Sequence, residues 1–284
     1  MTDPHDDIME QLLLEHTRSY SRFYSRSEAK TLQRSREQMF QEMEMAPLVQ
    51  RLERLYGPLQ GARILEIGSG SGGRSVALAL HGADVVGIDP SEPGVAASRL
   101  RAQRYPGLRV DFRVGVGEQI PFPDGSFDLA FSIEVLQHVQ VLWRVVAETF
   151  RVLRPGGHCY HEAPNGRYPR EFHYRIFWIP HMPKPAGKLY ARLRGKDPRH
   201  LDDINILYRG ALVSLMRRHG FVQIRDLYSE EAAEKVLRPE KIRSPIKRRL
   251  FRLLSGLMLS HPAVAIADTL GTHPQLRIHA IKPV

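Results

Sequence analysis

The chain holds a single cysteine, Cys159, among 284 residues. An internal disulfide is thereby excluded, as is a metal centre built from several thiolates. Tryptophan is scarce, with two residues. No uninterrupted apolar run approaches the ~18 residues of a membrane-spanning helix. The first residues, MTDPHDDIME, lack the basic and apolar segments of a secretory leader, so a reducing, cytoplasmic setting is expected. Internal repeats and low-complexity tracts are missing as well. Acidic residues are thin in the second half. Residues 1–159 carry 18 Lys+Arg against 20 Asp+Glu, and residues 160–284 carry 23 against 11, so the formal net charge of +10 arises after Cys159. A face of that sign suits phosphates, nucleic acid or an acidic membrane surface, or is simply solvated.

What is present begins with a 42% apolar fraction, ample for one large domain with a decorated edge. From about Asp6 to Tyr56 apolar and charged residues mix with few Gly or Pro, which reads as helix, and Gly57-Pro58 and Gly61 close it. An alternation follows. ARILEIG, ADVVGID, LRVDFRVG, SFDLAFSIEV and HCYHEAP read as strands, and RSVALALHG, SEPGVAASRLRAQRY and WRVVAETFRVLRPGG as helices. Strands and helices in this order predict a parallel sheet covered on both faces, with ligands at its carboxyl edge. The rhythm breaks over residues 165–205, rich in Pro, Arg and aromatics, expected as a partly helical lid over that edge. Residues 229–272 read as a second insertion, with a basic amphipathic helix over 246–259, and PQLRIHAIKPV as the closing strand. The expected division is a helical extension over 1–58 and a main domain over 59–284.

The stretch LEIGSGSGGRS, Leu65 to Ser75, fits two templates. Gly68, Gly70 and Gly73 match a dinucleotide fingerprint, and Gly68, Gly70 and Gly72 match a GxGxG turn. Glycine lets the backbone pass close to a ligand in either case. Glu66 discriminates. A carboxylate ending the preceding strand repels a pyrophosphate, whereas a ligand with a sulfonium and an ammonium welcomes it. Asp89, 19 residues after Gly70, is suited to accept two hydrogen bonds from a ribose diol, or to cap the helix beginning near Ser91.

ILEIGSGSG, VVGIDPS, GEQIPFPDGSFDLAFSIEVLQHV and VLRPGG together resemble the successive motifs of class I S-adenosylmethionine-dependent methyltransferases, in the small-molecule branch that includes ubiquinone and menaquinone methyltransferases. The resemblance covers roughly residues 60–165. It implies an α/β, Rossmann-like seven-stranded sheet of order 3-2-1-4-5-7-6, its last strand antiparallel, with helices on both faces. It implies S-adenosyl-L-methionine as the methyl donor, with Glu66, Gly68, Ser69, Gly70 and Gly72 around the methionine end, Asp89 on the ribose and Pro90 flanking the adenine. Where the family usually has Asp beside the adenine amino group, this chain has Val116, followed by Gly117 and Glu118, leaving backbone groups to meet the base. Ser132 and Glu134 follow the fourth strand, where the family lines the donor cleft.

Methyl transfer to a hydroxyl requires an aligned acceptor and removal of its proton. The candidate bases are His138, His161, Glu162 and His173, with Asn165 beside Glu162. His138 is equally suited to a packing or capping role. Arg167, Arg170 and Glu171 accompany His173 in the lid. No metal is expected from that His-x-Glu spacing. The aromatic, basic lid and the stretch Lys241 to Arg252 favour a small, lipid-linked, phosphorylated or glycosylated acceptor, oxygen methylation, and peripheral contact with an anionic inner membrane face. Nucleic acid is not an expected partner, since no RNA-binding module is evident. Oligomeric state leaves no trace in these residues. Three other readings stay open at this point: an RNA methyltransferase, a non-catalytic S-adenosylmethionine-binding protein, and an NAD-dependent dehydrogenase. The Asn/Asp-Pro-Pro-Tyr/Phe motif of amino-nitrogen methyltransferases is missing after the fourth strand, where SIEV stands.

Overall fold

A computed structural model of the chain describes residues 4–23, 28–171, 174, 176–202, 204–228, 230–231 and 274–284. Three helices come first: α1 Pro4–Phe23, α2 Glu28–Glu37 and, after a 3₁₀ turn at Gln41–Glu44, α3 Ala46–Tyr56. There follow β1 Arg63–Ile67, α4 Gly73–Leu80, β2 Asp84–Asp89, α5 Glu92–Gln103, β3 Val110–Val114, β4 Phe127–Ile133, α6 Leu142–Val152 and β5 Leu153–Pro164. The chain continues with α7 Lys184–Leu193, α8 Arg209–Arg218, β6 Val222–Asp226 and β7 Gln275–Ile281. The seven strands form one sheet of order β3-β2-β1-β4-β5-β7-β6. All inner pairings are parallel, and β7 runs antiparallel to β5 and β6. This is the order the family resemblance implies.

Alternation along each strand builds two cores. In β1, Leu65 and Ile67 face Val145 and Val146 of α6 and Leu212 of α8. Ile64 faces the other way, into Leu48 and Leu52 of α3 and Leu78 of α4. Side chains of a strand alternate between faces, so a sheet covered on both sides needs apolar residues at nearly every position. Glu66 is the exception in β1, and its consequences belong to the site.

One boundary differs from the sequence reading. The helix expected over 143–157 ends at Val152, and β5 begins at Leu153. Pro155 disfavours a helical residue before it. Gly156 sits at φ +75°. Its N–H donates to Lys282 O (2.9 Å), while Lys282 N–H donates to Gly157 O (2.9 Å), so the chain end draws this stretch into the sheet.

The insertion after β5 has its own small core of Trp178, Ala191, Leu201 and Ile204. Gly187 is required there, because a Cβ would stand 2.7 Å from the Trp178 ring. Its return segment, residues 204–208, is pinned beside the sheet edge. Gly166 N–H donates to Leu207 O (2.7 Å) and Asn205 N–H to Gln137 O (2.7 Å). Asn205 Nδ2 donates to Val139 O (2.6 Å). The basic helix expected over 246–259, and nearly all of 229–272, lie outside the described residues.

A single buried guanidinium ties the N-terminal helices to the sheet. Arg101 of α5 is fully enclosed. Its Nε donates to Ser71 O (2.7 Å), Nη1 to Met39 O (2.9 Å) and Nη2 to Gln38 O (3.0 Å). Nη1 also meets the carboxylate of Glu42. Glu42 in turn accepts from Tyr105 O–H (2.9 Å) and pairs with Arg104 (3.1 Å). A charge can be held away from water only when its hydrogen-bonding groups are met, and here they are. Arg101→Leu strands Glu42 without its main partner, and is expected to lower the free energy of unfolding in urea by about 3–5 kcal/mol. A loss under ~1 kcal/mol would remove this bridge from the account of how the N-terminal segment is held.

Candidate active site

The turn from β1 into α4 uses its three alternate glycines in three ways. Gly68, Gly70 and Gly72 have φ of +75°, +54° and +78°, the left-handed region that side chains resist. At Gly68 a Cβ would stand 2.3 Å from Val135, so the turn after β4 presses directly on it. At Gly72 a Cβ would stand 2.6 Å from Ser98 Cβ and 2.8 Å from Phe112, which makes Gly72 a packing position at the start of α4. A Cβ at Gly70 would meet nothing within 4 Å among the described residues. The space beside that backbone is open, as a ligand cradle requires.

Asp89 fixes the same turn from β2. Its Oδ2 accepts from Gly70 N–H (2.8 Å) and its Oδ1 from Ser91 N–H (2.8 Å). Burial raises its pKa, and these two hydrogen bonds oppose the rise. A carboxylate offers about four acceptor positions, so both oxygens retain capacity for a ligand diol. The helix cap is supplied by Ser91, whose Oγ accepts from Gly94 N–H (3.2 Å). Pro90 is exposed beside Asp89, and Val116 is 43% exposed beyond β3. Gly117 is closely packed, because a Cβ there would crowd Ile67 at 3.0 Å and Val145 at 3.1 Å. Ser69 is buried, and its Oγ meets no hydrogen-bond partner among the described residues.

Several expected site residues are placed elsewhere. Glu66 is fully enclosed. Alternation turns it toward α4, where Arg74 Nε reaches its Oε1 (2.6 Å) and Ser75 Oγ its Oε2 (2.6 Å). Burial pushes its pKa up and Arg74 pulls it back. Glu66 therefore shapes the turn from behind, and its charge is answered by Arg74 before it could act on a ligand. Ser132 is also fully buried, hydrogen-bonded to His161 Nδ1 (2.7 Å) on the adjacent strand, and so does not line the open cleft. His161 is pushed down to about 4 by burial and is neutral at pH 7. Glu118 accepts from Gln140 N–H (2.7 Å) and Val141 N–H (3.2 Å) at the start of α6, where a helix N-terminus attracts a carboxylate. Glu162 faces α3. It accepts from Tyr160 O–H (2.5 Å), pairs with Arg277 (3.2 Å) and lies 3.7 Å from Arg51, which makes it an ion-pair residue and not a free base. His173 lies outside the described residues.

The structure does gather one group at the carboxyl end of β4. Glu134 has φ +60°, unusual for a residue with a side chain. Its carboxylate accepts from Gln137 Nε2 (3.1 Å) and Gln275 Nε2 (3.0 Å). His138 is exposed in the same turn, its N–H bound to Val135 O (2.8 Å). Sequence reasoning missed Arg74. Its signal was present, because an acid buried in a strand needs a counter-ion and Arg74 opens the next helix. Arg74 also donates to Gly68 O (3.3 Å), which sets a cation at the edge of the open turn.

Comparisons with known proteins bear on the domain family and the fold. The profile of a family described as a methyltransferase domain matches residues 65–161. A ubiquinone biosynthesis O-methyltransferase of Agrobacterium fabrum is 40% identical over 100 residues, spanning 35% of this chain and 40% of that protein. One from Rhizobium rhizogenes is 32% identical over 161 residues, spanning 54% of this chain and 63% of that protein. The chain thus spans less than two thirds of the length of these relatives. Among solved structures, phosphoethanolamine N-methyltransferase 2 of Haemonchus contortus, in complex with phosphomonomethylethanolamine and S-adenosylhomocysteine, superposes with a TM-score of 0.55 at 21% identity, covering 84% of this chain and 53% of that one. That likeness speaks to the fold alone.

The two glycine roles separate on substitution. Gly70→Ala is expected to cost stability only about 1–2 kcal/mol, the left-handed penalty, while sharply weakening S-adenosylhomocysteine in calorimetric titration. Gly72→Ala is expected to lower the melting temperature more, through collision with Ser98 and Phe112. Full ligand affinity in Gly70→Ala would remove Gly70 from the cradle.

Proposed function

Because the chain carries a class I S-adenosylmethionine-dependent methyltransferase domain, we propose that it transfers a methyl group to an oxygen of a small or lipid-linked molecule. The observation that carries the reading is the open, left-handed Gly70 backbone held by Asp89, with free acceptor capacity on that carboxylate. S-adenosyl-L-methionine supplies an electrophilic methyl group on a sulfonium. The residues that would hold it fit its parts. Gly68 and Gly70 offer backbone to the methionine end, Arg74 a cation for the carboxylate, Asp89 acceptors for the ribose diol, and Pro90 and Val116 flat apolar surface for the adenine.

The remaining work falls to the protein. The lid excludes water and orients the acceptor, and a base takes the hydroxyl proton as the oxygen attacks. His138 is the candidate base, exposed in the turn that abuts Gly68. The carboxylate of Glu134, held by two amides, stands in the same turn. Oxygen as the target is supported by the names of the relatives from Agrobacterium and Rhizobium.

Contact with an anionic membrane surface is supported by α7. Leu189 and Leu193, one turn apart, are both exposed, Leu193 by 76%, and Lys188 and Arg192 stand beside them. Exposed leucines among cations suit a helix lying at a lipid surface. Among the described residues no helix is long and apolar enough to cross a membrane.

The test is an incubation of the full chain with labelled methyl donor and fractionated small-molecule and lipid extracts. Label is expected to enter an ether-type product. His138→Ala is expected to lower turnover with donor affinity unchanged, whereas Asp89→Ala weakens the donor. An unaltered rate in His138→Ala would remove it as the base. Failure of anionic vesicles to sediment the protein better than neutral ones would remove the membrane contact.

A further inference from the structure

One residue lining the pocket under the lid holds a buried hydrogen-bond acceptor that meets no donor among the described residues. Its walls include Pro164, Trp178, Leu201, Ile204 and Leu207, with Gln137, Asn165, Tyr168, Arg170 and Glu171 as polar members. Gln137 is 2% exposed. Its Nε2 donates to Glu134 Oε2 (3.1 Å), and its Oε1 meets no donor among the described residues. The orientation of the amide is not free. Turned over, Oε1 would face the Glu134 carboxylate, two acceptors against each other. Glu134 is itself fixed by Gln275 Nε2 (3.0 Å), and the Gln137 backbone oxygen is held by Asn205 N–H (2.7 Å) from the lid. The acceptor atom is thus locked in place in the wall of a largely apolar pocket with a few polar groups.

Buried polar atoms are normally partnered, and an exception asks for an explanation. This one sits two residues from Val135, which presses on Gly68 of the donor turn. The pocket and the donor turn thus share the segment that follows β4, from Glu134 to His138. We propose that Gln137 Oε1 is the specificity-determining contact for the acceptor, receiving a hydrogen bond from a hydroxyl other than the one methylated, on a largely apolar, flat molecule that packs against Trp178. The inference rests on the methyltransferase reading for its biological sense, but the pocket binds or fails to bind independently of the donor. A molecule of the same shape without the hydroxyl leaves Oε1 unpaired once the lid excludes water, and is rejected for that reason.

The chain offers its own reporter. Of its two tryptophans, Trp143 is 52% exposed and Trp178 is 3% exposed in the pocket wall. In the full chain carrying Trp143→Phe, fluorescence of Trp178 is titrated with phenol and with anisole, which differ by the O–H donor. Phenol is expected to quench saturably, and roughly tenfold more tightly than anisole. Gln137→Leu and Gln137→Met, the second preserving side-chain length, are each expected to erase that preference. S-adenosylhomocysteine binding by calorimetry should be unchanged in both, which also reports an intact fold. Equal affinity for the two probes in the parent, or a preference that survives both substitutions, would overturn the proposal and leave Gln137 as a group that merely binds water. Loss of S-adenosylhomocysteine binding in the parent would instead sink the methyltransferase reading, with the phenol result standing apart.

Discussion

The turn between β1 and α4 is held in a conformation it would not keep alone. Left-handed backbone at Gly68, Gly70 and Gly72 is entropically costly to fix. It is fixed from two sides. Asp89 takes the Gly70 N–H from the front, and Arg101 takes the Ser71 carbonyl from behind. Arg101 reaches that carbonyl only because α5 packs on the N-terminal helices, whose Gln38, Met39 and Glu42 satisfy the rest of its guanidinium. The helical extension and the ligand turn are therefore parts of one hydrogen-bonded assembly, and the open space beside Gly70 depends on both.

The charges around the turn carry a second lesson. Glu66 invites the idea that a bare carboxylate selects a cationic ligand. In the fold the acid is enclosed and answered by Arg74, so the pair presents little net charge and its exposed end is positive. On the proposed reading, selection of the donor falls to shape, to the spare acceptors of Asp89 and to the apolar edges at Pro90 and Val116. The pairing also explains why a carboxylate is tolerated in a buried strand, since an unpaired one would be strongly disfavoured.

Much of the fold was legible because periodicity and glycine punctuation are local signals. Strand order was implied by the family resemblance, and the structure agrees with it from β1 to β7. The end of α6 was placed too late although Pro155 and Gly156 mark a stop locally, and the pull into the sheet came from Lys282, far along the chain. Side-chain roles were less legible for the same reason. Glu162 and Ser132 end strands at the ligand edge, as motif reasoning notes, but whether a side chain opens to the cleft is set by its face and its neighbours. Arg277 and Tyr160 claim Glu162, and His161 claims Ser132. Gln137 had no signal in the sequence, because an unmet acceptor becomes visible only once the atoms around it are placed.

The most direct measurement is a calorimetric titration of the full chain with S-adenosylhomocysteine and, separately, with NAD. The account predicts one saturating site for S-adenosylhomocysteine, weakened about tenfold or more (~1.4 kcal/mol) in Asp89→Ala, and no saturable heat with NAD. Saturable binding of NAD with none of S-adenosylhomocysteine would contradict it.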